Sequence, residues 1–108
     1  MSNFEAVLLL SPDISKTVRD NVCNSFTKNI SEHSGKIINA EDWDLRDLSY
    51  KIDIYSKAYY NFFQIEIDGK NIELLKKYVS QDENIIRYIF VKVDKHQELP
   101  TKLNNEKK

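Results

Sequence analysis

Glu41-Asp42-Trp43-Asp44-Leu45-Arg46-Asp47-Leu48-Ser49-Tyr50-Lys51-Ile52 is the stretch whose reading decides the fold. Read as a strand, it gives the middle of the chain two consecutive strands between two helices. Hydrophobic periodicity supports that reading. From residue 36 to residue 54 the period falls toward two, with Ile38, Ala40 and Asp42 on one side and Ile37, Asn39, Glu41 and Trp43 on the other. Alternation slips over 44–47, which predicts a bend or β-bulge, and resumes with Leu48, Tyr50, Ile52 and Ile54. The five charges Glu41, Asp42, Asp44, Arg46 and Asp47 beside Trp43 exceed what a half-buried strand needs. Such a mixture blunts an exposed sheet edge and offers a partner a polar-aromatic surface.

Downstream, Tyr55-Ser56-Lys57-Ala58 reads as the connector of a long hairpin. The next strand spans 59–67, with Tyr59, Asn61, Phe63, Ile65 and Ile67 facing one way and Tyr60, Phe62, Gln64 and Glu66 the other. Upstream, Phe4-Glu5-Ala6-Val7-Leu8-Leu9-Leu10 is apolar on both faces, as a central strand is, and stops at Ser11-Pro12-Asp13. A helix follows over 15–33, with Ser15 at its N-cap and Ile14, Val18, Val22, Phe26 and Ile30 as its buried stripe. Gly35 is expected to end it in the left-handed conformation. A second helix over 71–80 buries Ile72, Leu75 and Val79. A last strand over 85–93 sets Tyr88 and Phe90 opposite Arg87, Ile89 and Val91. Residues 1–94 thus make one domain, and the polar residues 95–108 are expected to be a disordered tail.

The order β-α-β-β-α-β predicts an α+β, ferredoxin-like fold: a four-stranded antiparallel sheet with two helices on one face. The face without helices then carries Val7, Leu9, Tyr60, Phe62, Ile89 and Val91, an apolar patch that points to an interaction site.

Composition excludes several function classes. Sixteen basic against seventeen acidic residues give a net charge of −1, too little for sequence-blind coating of RNA. The single cysteine, Cys23, allows no internal disulfide and fits a reducing cytoplasm. No apolar run approaches a membrane span, and no signal-peptide pattern opens the chain. The two histidines, His33 and His96, lie far apart, and Gly35 and Gly69 form no phosphate cradle. No catalytic residue, metal site, cofactor or small-molecule substrate is expected, so the chain is read as no enzyme. Lys57-Ala58-Tyr59-Tyr60-Asn61-Phe62-Phe63 resembles the aromatic strand of RNA-recognition motifs, but the first strand offers only Val7 and Leu9 beside it.

One set of residues is more specific. Phe4-Glu5, Pro12-Asp13, Gly35-Lys36-Ile37, Glu41-Asp42-Trp43 with Arg46, Leu48, Tyr50 and Ile52, Lys57-Ala58 with Tyr60, and Ile86-Arg87 follow in order over 3–95. Together they resemble the bacterial small-subunit ribosomal protein six family. The resemblance implies the same ferredoxin-like fold and a structural role in the cytoplasmic ribosome. It also implies pairing with small-subunit ribosomal protein eighteen, a basic partner, and binding of the pair to the central domain of small-subunit ribosomal RNA during assembly. Carried onto this chain, it makes Glu41, Asp42, Trp43, Arg46, Tyr50, Tyr60 and Phe62 partner-binding, and Arg46, Arg87 and Lys92 RNA-binding. Asp44 departs from the family's usual glycine, Ser49 from alanine and Lys51 from proline, while Asp47 sets an acid beside Arg46. Two other readings remain: a free-standing ferredoxin-like RNA-recognition module, and an acyl-phosphate or small-ligand enzyme domain. The enzyme would need a Gly-rich, arginine-bearing anion loop that Ser11-Pro12-Asp13-Ile14-Ser15 does not supply.

Overall fold

In the computed structural model, which describes residues 2–52 and 54–94, the chain runs β1 (Ser2–Leu10), α1 (Lys16–Glu32), β2 (Lys36–Ile52), β3 (Tyr55–Ile67), a 3-10 turn (Gly69–Asn71), α2 (Ile72–Ser80) and β4 (Ile85–Val93). The strands form one sheet in the order β2-β3-β1-β4, and every neighbouring pair is antiparallel. This is the ferredoxin-like arrangement expected from the order of elements. The expected tail, residues 95–108, lies outside the described residues.

Alternation assigns the core. Phe4, Ala6, Leu8 and Leu10 from β1 and Phe63, Ile65 and Ile67 from β3 pack beneath Val22, Phe26 and Ile30 of α1 and Ile72, Leu75 and Val79 of α2. Phe26 is wholly buried and lies tilted against Phe63, with ring centroids 5.0 Å apart. The helix begins where the Ser15 hydroxyl accepts a hydrogen bond from the Val18 amide at 3.3 Å, which satisfies one of the free first-turn donors.

The C-terminus of α1 differs from expectation. Ser34, with φ 63, takes the left-handed conformation, and Gly35 does not. The Gly35 amide donates to Ile30 O at 2.9 Å and the Ser34 amide to Ser31 O at 3.1 Å, the paired bonds of a Schellman close. Glycine is needed at position 35 for space. A Cβ there would stand 2.9 Å from Glu66 O and 2.9 Å from Ile30 Cγ2, where β3 crosses the helix end.

The hairpin reversal is also displaced. Residues 55–58 belong to β3, because Arg46 pairs with Ala58, Asp47 with Lys57 and Ile52 with Tyr55. The chain therefore turns between Ile52 and Tyr55. Ser56 and Lys57 are exposed, so their polarity concealed the backbone pairing. A bulge is present just before the expected 44–47: Asp42 opposes Asn61 and Asp44 opposes Tyr60, which makes Trp43 the extra residue of β2. Asp44 sits at φ 62, and its amide donates to Asp42 Oδ1 at 2.8 Å. That bond steadies the turn whatever residue stands at 44, and aspartate is among the few residues besides glycine that enter left-handed backbone readily.

Candidate functional site

The helix-free face is ordered by strand register. Asp44, Tyr60, Leu9 and Arg87 form one row across the sheet, and Glu41, Phe62, Val7 and Ile89 the next. The bulge turns Trp43 onto this face, where its indole lies almost parallel to Phe62 (centroids 5.2 Å, 11°) and to Tyr60 (6.3 Å, 20°). Trp43 Nε1–H donates to Glu41 Oε1 at 2.9 Å. Arg46 completes the stack. Its guanidinium carbon stands 5.1 Å from the Trp43 ring centre and 5.9 Å from that of Tyr60, and its Nε–H donates to Trp43 O at 3.0 Å. A cation so placed over aromatic rings gains about 0.5–1 kcal/mol at a partly exposed site. The packing fixes the guanidinium at the sheet edge.

This cover corrects the apolar patch expected from alternation. Phe62 is 3% exposed, Leu9 4% and Trp43 itself 4%, so the chain satisfies these three internally. What stays open on the face is Ile89, at 46%, and Val91, at 49%. Trp43 is a cover plate and does not project.

The expected site residues separate into groups. Glu41, Trp43, Arg46, Tyr60 and Phe62 come together in the stack. Asp42 does not join them: it pairs opposite Asn61 and turns toward α1, where its charge acts on Cys23. The Cys23 thiol is pushed up from 9.0 to about 11, first by burial, then by the negative charges of Asp42 and Asp20, with Arg19 opposing. It is therefore a neutral, weakly reactive thiol. Tyr50, 71% exposed, stands at the hairpin end. Arg87 shares the face with Arg46 but on β4, the opposite edge of the sheet. Lys92 pairs with Phe4 and lies on the same face of β4 as Tyr88 and Phe90, which pack against the helix-side core. The three cations expected to meet RNA thus divide between two faces.

Sequence reading also missed a cleft of about 170 Å³ between the hairpin residues Leu48, Tyr50 and Ile52 and the sheet residues Leu9, Tyr60, Arg87 and Ile89. The resumed alternation at Leu48 and Ile52 was its signal, but the shape depends on the register shift between Asp47 and Ile52. Among the described residues, no group of three or more His, Cys, Asp or Glu gathers as metal ligands do.

The helix-free face is thus partly apolar and is edged by an acidic-aromatic bulge. The model of the family described as Ribosomal protein S6 matches residues 3–92. The chain belongs to the ribosomal protein S6 family. Among its relatives, the small ribosomal subunit protein bS6 of Zymomonas mobilis is 36% identical over 101 residues, covering 94% of this chain and 82% of that protein. That of Rickettsia prowazekii is 38% identical over 94 residues, covering 87% and 78%. In three dimensions the chain is similar to the 30S ribosomal protein S6 of Thermotoga maritima, with a TM-score of 0.82, 24% identity, and coverage of 85% of this chain and 87% of that one. That likeness bears on the fold, which the S6 family member described here shares.

Proposed function

We propose that this S6 family chain docks with small-subunit ribosomal protein eighteen and that the pair binds the central domain of small-subunit ribosomal RNA during assembly. Family membership makes it a structural constituent of the small ribosomal subunit, working in the cytoplasmic ribosome. No helix among the described residues is long and apolar enough to cross a membrane. The observation that carries the docking reading is the stack at the β2 edge, where Arg46 lies over Trp43 and Tyr60 and Trp43 lies on Tyr60 and Phe62. It presents an oriented cation among the carboxylates of Glu41, Asp44 and Asp47, a surface suited to a basic protein partner. Arg87 flanks the same face, open to the protein partner or to phosphate, while Lys92 meets RNA only where RNA passes around the β4 edge. A role as scaffold, with no catalytic chemistry, follows from the same reading.

The free-standing RNA-recognition reading depends on rings open to bases. Phe62 lies under Trp43, and Tyr60 is flanked by Trp43 and Arg46, which argues against it. A gel-shift titration of central-domain RNA with this chain, alone and with protein eighteen, separates the two. Retardation that needs both proteins supports co-docking; retardation by this chain alone supports the RNA module. Arg46→Glu should weaken association with protein eighteen while the denaturant midpoint stays near wild type. Unchanged association would remove Arg46 from the interface.

A further inference from the structure

We propose that the cleft between the β2–β3 hairpin and β4 receives one bulky apolar side chain of the protein partner, and that a carboxylate beside that side chain closes onto Arg87. The inference rests on the docking reading above and names the chemistry of its anchor. Leu9, Leu48, Ile52 and Ile89 give the cleft its aliphatic walls, and Tyr50 and Tyr60 add aromatic ones, with Ser49 and Arg87 as its polar members. A volume of about 170 Å³ is well below the ~300–1,000 Å³ of small-molecule sites. It is close to the ~150 Å³ that takes a benzene-sized group in an apolar cavity.

Charge fixes the rest of the occupant. Arg87 stands at the rim and forms no ion pair among the described residues, and no described carboxylate lines the cleft. A partner covering the cleft strips water from that guanidinium, which is unfavourable unless an anion arrives with it. The planar fork of arginine matches a carboxylate through two parallel hydrogen bonds. An unpaired nucleotide fits less well: a base needs polar partners along its edge and a free ring to stack on, and Tyr60 already stacks with Trp43. The exposed side chains of Ile89 and Val91 extend the apolar contact along β4, so the cleft lies at the end of a longer strip. A filled pocket ringed by weaker contacts is the usual form of an interface hot spot.

The test is a binding titration of the full chain with its cognate protein eighteen, using wild type, Ile89→Trp, Arg87→Glu and Arg87→Lys. Ile89 is exposed, so a tryptophan there occupies the cleft without entering the core, and denaturant midpoints confirm that each variant folds. Ile89→Trp and Arg87→Glu should each weaken association at least about ten-fold, and Arg87→Lys less. If wild type binds and both variants bind equally well, the cleft proposal fails while the docking reading stands. If both variants keep the protein pair but lose retention of central-domain RNA, the occupant is RNA and the proposal also fails. No association by wild type overturns the docking reading and this one with it.

Discussion

The two faces of one sheet are closed by different means. On the helix side, Leu8, Leu10, Phe63 and Ile65 are sealed by two helices that cross from distant parts of the chain. On the other side, Leu9 and Phe62 reach nearly the same burial although no helix covers that face. There, the cover over Phe62 is a single indole, re-aimed by one extra residue in an edge strand and held by Glu41 and Arg46. A helix covers many residues at once, and its loss is global. A bulge covers a few, and its disturbance stays local. The bare face can therefore carry contact chemistry without endangering the fold.

The largest effect expected from this contrast is on the helix side. Phe26→Ala should cost about 3–5 kcal/mol in denaturant melts, because the ring is wholly enclosed and packs on Phe63 of β3 and Phe90 of β4. A loss under about 1 kcal/mol would mean that this core repacks freely. Trp43→Ala should cost less, about 2–4 kcal/mol, since an edge strand relaxes into the space. If it costs as much as Phe26→Ala, followed by circular dichroism, the two faces are bound into one cooperative unit and the contrast breaks.

A pH series sharpens the comparison on the helix side. The Cys23 thiol ionises at 9.0 when unfolded and at about 11 when folded. Deprotonation therefore favours the unfolded chain as pH rises through 9, and stability is lost between 9 and 11. Relative to Cys23→Ala, wild type should lose about 1.4 kcal/mol between pH 8 and pH 10. Parallel pH curves for the two proteins would show that Cys23 is open to water. The smallest effect belongs to the bulge. Asp44→Gly should change stability by under about 1 kcal/mol, whereas Asp44→Val should lose about 1–2 kcal/mol by forcing a branched residue into left-handed backbone. Equal melts for the two variants would mean that the bulge rearranges at no cost.

Alternation alone placed the strands, their faces and the core, because a period of two leaves little freedom once one face must be buried. The stripe through Val22, Phe26 and Ile30 did the same for α1. Where alternation failed, it failed at a register shift. Trp43 reads as one of a row with Ile37, Asn39 and Glu41, and only its stacking on Phe62 and Tyr60 shows that it closes the face. The hairpin end was misplaced because Ser56 and Lys57 look like turn residues, although an exposed ribbon pairs as well with polar side chains as with apolar ones. Gly35 has the composition of a helix stop but serves close packing against β3. The face of Lys92 was legible all along, two residues beyond Phe90. The family was readable from its spaced motif, while the roles of single residues belong to partners whose atoms lie outside this chain.

β1 takes both of its neighbours from the second half of the chain, β3 on one side and β4 on the other. During synthesis the first strand emerges with nothing to pair with until residues 55–67 follow, and it gains its last partner only after residue 93. β2 and β3 are consecutive and pair with each other, but the sheet closes only around the oldest segment. Most of its contacts span long stretches of chain, which slows folding and makes it an event of the whole domain. A ribosomal protein of this design becomes competent for assembly only once its last strand has emerged.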